Sequence, residues 1–324
     1  MKVVTVGTSK ITSTCINAMK EAGIEVFACV GRDTSRVQQF ADKENILLYS
    51  NDYDRVVKSQ DFDTVYIATP NATHFSYAKK ALENHKNVIV EKPMCSNFFE
   101  ASTLVKIALA NHQFIFENNK VTHNSAFKEI LSDVNVLGNL KMAEFNFSKT
   151  SSRYEMFKKG EAQNMFSLEM SSGALLDLNI YNVSAAIGMF GMPKESLYLC
   201  NKLNGVDTSG IALLKYPTFI VSCISCKDAD SRNYVSISGE KGTIYSEDHI
   251  STLNYYDLSL DGINQRKDFY IANHFLRSFK DFHFIVDSDN KILYEYYLKQ
   301  SLMTMKVLDD LRKSANIVYP ADKK

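Results

Sequence analysis

Glu91-Lys92-Pro93 sets a lysine at the point where a short apolar run has to end. Val88-Ile89-Val90, with Asn87 ahead of it, reads as a strand buried on both faces, β-branched and too short for a helix. Pro93 offers no ladder N–H and holds Lys92 extended. Glu91 and Lys92 thus stand at the carboxyl end of a buried strand, the edge of an open α/β sheet where ligands bind. An ammonium there can polarise a substrate oxygen or favour the anion of a neighbouring acid.

Asp177 and Tyr181 form a second chemical pair. They lie in Ser171-Ser172-Gly173-Ala174-Leu175-Leu176-Asp177-Leu178-Asn179-Ile180-Tyr181-Asn182, which passes into a helix reaching Phe190. Four residues apart, they share a helical face, and both are polar in an apolar stretch. A tyrosine so placed can exchange a proton; equally, Asp177 can cap a turn while Tyr181 buries its ring with a satisfied hydroxyl. Spacing leaves the two readings open. Arg153, in the polar loop Lys149–Tyr154, can reach a polar substrate or stand in solvent.

The elements that position these residues alternate in type. Val3–Val6 is a strand, and Gly7-Thr8-Ser9-Lys10-Ile11-Thr12 turns into a helix running to about Glu21. A dinucleotide fingerprint G-x-G-x-x-G belongs here, but only its first glycine is present. Ser9 still leaves room for a pyrophosphate at the helix N-terminus, while the bulkier Thr12 is expected to hold the helix further from the strand. Glu25–Val30 ends at Gly31-Arg32-Asp33, where an NAD site would carry an acid. Arg32 suits a 2′-phosphate through paired charge-assisted hydrogen bonds. It can also be a surface residue of a βα loop, with Asp33 or Thr34 as N-cap.

A helix near Tyr53–Lys58 and a strand Thr64–Ala68 lead to Thr69-Pro70-Asn71-Ala72-Thr73-His74 and a helix to about Asn84. Asn71 or Thr73 can cap it, and His74 in its first turn is expected to be neutral. After the Glu91-Lys92-Pro93 strand come a helix from about Asn97 to Ala110 and a strand Phe114–Phe116. Such alternation implies a parallel doubly wound sheet.

Thr69-Pro70-Asn71-x-x-His74 followed by Glu91-Lys92-Pro93 resembles the glucose–fructose oxidoreductase / inositol dehydrogenase (Gfo/Idh/MocA) family of NAD(P)-dependent oxidoreductases. The resemblance implies a cofactor site made by Gly7, Thr8, Ser9, Lys10, Ile11, Arg32, Thr69, Pro70, Asn71, His74, Glu91 and Lys92, with Lys92 beside the nicotinamide and the reacting carbon. Ser171–Asn182 is similar to the family's GGGAL-x-D-x-G-x-H/Y, whose last residue gives or takes the proton. Tyr181 points to the tyrosine branch, with glucose–fructose oxidoreductase, dimeric dihydrodiol dehydrogenase and NADP-xylose dehydrogenase. Ser171, Ser172 and Asn179 depart from its glycines. The implied activity is hydride transfer between NADP, preferred over NAD, and a sugar, polyol or cyclic alcohol/carbonyl pair, with Lys92, Tyr181 and Asp177 catalytic and Lys92, Arg153, Asp177 and Tyr181 touching substrate. A tyrosine pKa near 10 is high for a base at neutral pH, and the Lys92 charge would lower it.

Beyond Asn119 the rhythm stops. A helix near Ala126–Val134 and a strand Asn139–Phe147 precede the Asp177–Tyr181 stretch. Strands follow at about Ser196–Lys202, Ser209–Tyr216, Phe219–Cys226, Tyr234–Ser238, Thr243–Glu247 and Thr252–Tyr256, with a hairpin at Gly239-Glu240-Lys241-Gly242. Helices at about His274–Val286 and Ile292–Ser314 and a last strand Asn316–Pro320 close the chain. We expect a Rossmann domain over 1–120 and an α+β domain with a large, mostly antiparallel open sheet over 121–324, its C-terminal helix able to return to the first domain. Phe219–Ile224 is apolar on both faces, and the family pairs such faces in a homodimer or dimer of dimers.

Composition excludes other classes. The chain has 324 residues, with 37 Lys+Arg against 37 Asp+Glu, so no bulk charge suggests nucleic acid or a membrane surface. No apolar run spans a bilayer and no leader precedes Val3, so a cytoplasmic protein is expected. Cys223 and Cys226, three apart in a strand, fall on opposite faces, and no metal is expected. The rival is a binding protein of the same fold that senses a sugar without turnover, favoured by the lost glycines and opposed by the retained Lys92, Asp177 and Tyr181.

Overall fold

The computed structural model describes residues 1–161 and 163–323. They form two compact units, one joining Met1–Asn119 to Phe275–Leu302, the other joining Lys120–His274 to the stretch from Met303 onward. The first unit is therefore discontinuous in sequence.

In the first unit β1 (Lys2–Val6), β2 (Glu25–Val30), β3 (Leu48–Ser50), β4 (Thr64–Ile67), β5 (Asn87–Glu91) and β6 (Ile115–Asn118) run parallel in the order β3-β2-β1-β4-β5-β6. Helices α1 (Lys10–Glu21), α2 (Thr34–Glu44), α3 (Tyr53–Val56), α4 (His74–Glu83) and α5 (Phe98–Ala110) connect them. Every residue of β4 and β6 is buried, which is why these strands read as unbroken apolar runs rather than alternating ones. The strand order reverses between β1 and β4, and the crevice beyond their carboxyl ends is where such sheets hold ligands. The late helices Leu276–Ser288 and Lys291–Ser314 bring Phe279, Phe282 and Tyr294 into one core with Tyr66, Phe114 and Phe116. The Phe116 and Phe282 rings stack with centroids 4.7 Å apart.

The second unit holds α6 (Ser125–Asp133), α7 (Tyr154–Lys158), α8 (Ile180–Phe190) and an eight-stranded sheet. Its strands are β7 (Leu140–Ser148), β8 (Glu195–Leu203), β9 (Val206–Lys215), β10 (Ile220–Cys226), β11 (Tyr234–Gly239), β12 (Gly242–Ser246), β13 (Tyr255–Leu260) and β14 (Ile263–Asp268). The order is β14-β13-β12-β11-β7-β10-β9-β8, antiparallel except where β10 runs alongside β7. α8 packs on β7 and β10. Phe145, Val221 and Cys223 on these strands are buried, whereas Met142 of β7, Ile220 of β10, Ile211 of β9 and Leu199 of β8 remain 49%, 43%, 41% and 61% exposed. Cys226 lies on the opposite side of β10 from Cys223 and is half-buried.

Three expectations are corrected. Thr252–Tyr256 is not one strand: a 3₁₀ turn takes Ile250–Thr252 and β13 begins at Tyr255. β14 was not expected, because an edge strand reading Asn264-Gln265-Arg266-Lys267-Asp268 faces water and shows no apolar alternation. Asn316–Pro320 is not a strand: Asn316 closes a turn with φ +52°, Pro320 opens a 3₁₀ turn, and among the described residues the stretch pairs with no strand. Its Ile317 and Tyr319 are buried, and the Arg312 guanidinium fixes it by donating to the Ile317 carbonyl at 3.2 Å.

Candidate functional site

The glycine that remains in the β1–α1 turn is the one that sterics demand. Gly7 has φ +119°, and a Cβ there would lie 2.3 Å from the Ala68 carbonyl oxygen at the end of β4. The missing glycines have become a capping box: the Thr12 N–H donates to Ser9 Oγ at 3.4 Å and the Ser9 N–H to Thr12 Oγ1 at 3.3 Å. Thr12 is accommodated fully buried at the helix start. The box occupies two amides and leaves those of Lys10 and Ile11, which no helical carbonyl can reach, at the positive end of α1. These residues fit a dinucleotide pyrophosphate.

At the end of β2, Gly31 replaces the acid of an NAD site. A Cβ there would come within 3.1 Å of Thr8 Cγ2 and Val37 Cβ, so the position is crowded. Asp33 caps α2, accepting the Arg36 N–H at 2.8 Å. Arg32 is exposed beside it.

His74 joins the two motifs of this crevice. Wholly buried, it sets Nε2 2.8 Å from the Thr69 carbonyl and Nδ1 2.9 Å from that of Pro93. Burial lowers its pKa and the two carbonyls oppose the change. Thr73 takes the N-cap position of α4 without a side-chain cap hydrogen bond; a 3₁₀ turn over Asn71–Thr73 precedes the helix, and the Thr73 hydroxyl donates to the Pro70 carbonyl at 2.7 Å. Glu91 points inward. Its Oε1 accepts from Tyr66 Oη at 2.8 Å and Asn118 Nδ2 at 2.7 Å, while burial raises its pKa. Lys92 is half-buried at the strand end.

Glu117 escaped the sequence reading. It sits beside Val90 in register and accepts the Met94 N–H at 2.9 Å, bracing the segment after Lys92. Burial raises its carboxyl pKa to about 7. Its signal was an acid inside an otherwise apolar strand.

In the second unit Leu175–Asn179 form a π-helical turn that runs into α8, so Asp177 lies on the turn and Tyr181 in the first turn of the helix. Such turns often occur at functional sites. The Asp177 carboxylate is held by Lys227, with Nζ 2.9 Å from Oδ2 and side-chain exposures of 1% for Lys227 and 22% for Asp177. Lys227 also escaped the sequence reading, since a lysine just past a strand reads as solvated. Its ammonium donates to the Met165 carbonyl at 2.7 Å, the carbonyl that Ser172 Oγ also reaches at 3.1 Å. Tyr181 is 9% exposed, and the Lys120 ammonium lies 5.7 Å from its ring centre. Arg153 donates to Gln163 Oε1 at 3.0 Å, on the loop that carries Met165.

The departures from the glycine pattern have visible consequences. Ser171 adopts φ +53°, a conformation glycine takes without strain. Gly173 is retained where a Cβ would stand 1.8 Å from Asp207 Oδ1. Asp207 in turn accepts the Leu175 N–H at 2.7 Å. Asn179, fully buried, donates to the Cys223 carbonyl at 2.9 Å and accepts from Asn182 Nδ2 at 2.9 Å, tying the π turn to β10.

Residues 1–119 match the family model "Oxidoreductase family, NAD-binding Rossmann fold", and residues 127–245 match the Gfo/Idh/MocA C-terminal domain. The chain is 32% identical to scyllo-inositol 2-dehydrogenase (NADP(+)) of Bacillus subtilis (strain 168), covering 98% of each chain. It is 25% identical to trans-1,2-dihydrobenzene-1,2-diol dehydrogenase of Mus musculus, over 96% of this chain and 95% of that one. Among solved structures it resembles KijD10, a 3-ketoreductase from Actinomadura kijaniata in complex with TDP-benzene and NADP, at TM-score 0.83, 18% identity and 97% of both chains, a likeness of fold. The chain belongs to the Gfo/Idh/MocA family of NAD(P)-dependent oxidoreductases and acts on CH–OH groups.

Proposed function

From that membership we propose an NADP-preferring dehydrogenase of a polyol or cyclic vicinal alcohol, in which Tyr181 exchanges the proton of the substrate hydroxyl. The observation that carries this reading is the π-helical turn before Tyr181, with Asp177 fixed by buried Lys227. A side chain held this firmly can meet a hydroxyl in one geometry, which proton transfer needs. Tyr181 gives up its phenolic proton to complete a carbonyl reduction, or takes the hydroxyl proton during oxidation. The Lys120 ammonium, 5.7 Å from the ring centre, favours the phenolate by Coulomb attraction, and Lys92 serves the hydride step from the end of β5. Asp177, with its partly exposed carboxylate, orients the substrate hydroxyls, and Arg153 serves a polar substrate from the rim. When bound, the nicotinamide supplies the hydride acceptor or donor. Lys10 and Ile11 amides hold its phosphates, Arg32 the 2′-phosphate, and Thr69, Pro70 and Asn71 line its path. The names of the two relatives support a cyclic vicinal alcohol.

The test is turnover of NADP⁺ with scyllo-inositol, other cyclitols, sugars and trans-dihydrobenzenediol. Lys92→Met and Tyr181→Phe should each lower turnover by about 10²–10⁴ on whichever substrate reacts. Wild-type turnover by Tyr181→Phe would sink the proton role. Arg32→Ala should weaken NADP(H) by roughly 1.5–3 kcal/mol, the value of a hydrogen bond to a charged group, and spare NAD(H). Equal loss for both cofactors in a titration refutes that assignment.

The exposed apolar residues of the eight-stranded sheet support a homodimer through this face. Light scattering at tens of micromolar should return twice the chain mass; a monomer mass rejects it. Six free cysteines suit a reduced, cytoplasmic setting.

A further inference from the structure

Lys227 is an uneconomical residue if packing is its only purpose. Taking an ammonium and a carboxylate out of water carries a desolvation penalty that their attraction often only repays, and a well-packed apolar pair commonly does as well or better. Yet Lys227 is almost wholly buried. Its position is fixed through the backbone, its N–H donating to the Thr208 carbonyl at 2.8 Å and its carbonyl accepting the Ser151 N–H at 2.9 Å. Its side chain is fixed as firmly, by the Met165 carbonyl at 2.7 Å and by the face of Phe166, 4.2 Å from the ring centre. Of the two charges in the pair, the carboxylate keeps the greater exposure. Asp177 is thus held on the π turn, four residues before Tyr181 in the chain, with its countercharge buried beside it.

We propose that Lys227 is a positioning residue for proton transfer at Tyr181: it fixes the Asp177 carboxylate in its ionised form and cancels the field that carboxylate would exert on the phenol. The inference rests on the reading of Tyr181 as proton carrier. Other charged or titratable groups of the same unit face this region. Among the described residues they include Lys120 over the Tyr181 ring; His249, stacked on Phe147 at 3.8 Å; Asp248, Lys149 and His274 around His249; and Asp207 behind the π turn. Burial and the Lys120 charge push His249 and His274 down to about 4, so both are neutral where the enzyme is assayed. Between pH 6 and 10, therefore, the charges on Asp177 and Lys227 can be removed singly while these two imidazoles stay neutral.

The two single removals have opposite signs. Lys227→Met leaves an uncompensated carboxylate near the phenol, which disfavours the phenolate and raises the Tyr181 pKa. Asp177→Asn leaves an uncompensated ammonium and lowers it. The double variant should return toward wild type, and Lys227→Arg should stay close to it. The readout is the tyrosinate absorbance difference between each protein and the same protein carrying Tyr181→Phe, which needs no substrate. We expect shifts of about one pH unit up for Lys227→Met and down for Asp177→Asn. The basic limb of the oxidation rate should move with them. Lys227→Met is checked for folding by its melting temperature; if it does not fold, Asp177→Asn and Lys227→Arg still decide the sign. Unmoved phenol ionisation in Asp177→Asn, or a double variant that does not return, overturns the proposal and leaves Lys227 a packing residue. Absence of turnover by the wild-type protein would instead defeat the reading of Tyr181, while the absorbance titration still tests the coupling.

Discussion

At Ser9 and Thr12 the two lost glycines close on each other, side chain to backbone in both directions, within one helical turn. At Asn179 the replacement reaches across to β10 and to Asn182, and at Ser171 it leaves a residue with φ +53°. The first segment absorbs its substitutions locally, and the second makes its neighbours depend on them. The difference follows from setting. A helix N-terminus has spare donors that any nearby hydroxyl can satisfy, whereas a buried turn against a strand has to find partners among groups already committed.

The contrast can be broken at three positions. Gly173→Ala should have the largest effect, because its Cβ would stand 1.8 Å from an Asp207 oxygen and that carboxylate is anchored to the Leu175 N–H. A loss of about 3 kcal/mol or more in chemical denaturation is expected, at the upper end for overpacking. Asn179→Gly, which restores the family glycine, should cost roughly 2–3 kcal/mol, since it leaves the Cys223 carbonyl without this donor and adds helix flexibility. A neutral result there would show that the second segment is as self-contained as the first. Ser9→Gly, also a restoration, should cost only a few tenths of a kcal/mol, against about 1 kcal/mol for Ser9→Ala. A large loss in Ser9→Gly would erase the distinction.

Much of this was legible in the residues. The parallel strands of the first unit could be read because burial on both faces leaves short β-branched runs between helices, and Gly7, Ser9, Arg32 and Lys92 fall at their carboxyl ends as the spacing implied. β3 was not legible, being three residues of partly exposed edge. The β13–β14 hairpin did carry a signal: Asp261-Gly262, with φ +51° and +82°, is a tight-turn dipeptide, overlooked because the strand after it is polar. Lys227 was beyond reach. Its partner lies fifty positions earlier, and nothing local marks a lysine as buried.

The segment Phe275–Leu302 bears on how the chain comes to be folded at all. Tyr66, Phe114 and Phe116 emerge from a ribosome long before Phe279, Phe282 and Tyr294, the aromatics that cover them. During synthesis the nucleotide-binding half therefore waits with an open apolar flank while the whole of 120–274 is made. Closing so long a loop costs little more than closing a short one, because the entropy grows only with the logarithm of length, and an already folded insert shortens the effective gap. The delay is in time rather than in free energy. A nascent chain halted after residue 120 would be a client for chaperones, and a fragment cut there would be sticky rather than a usable cofactor-binding module.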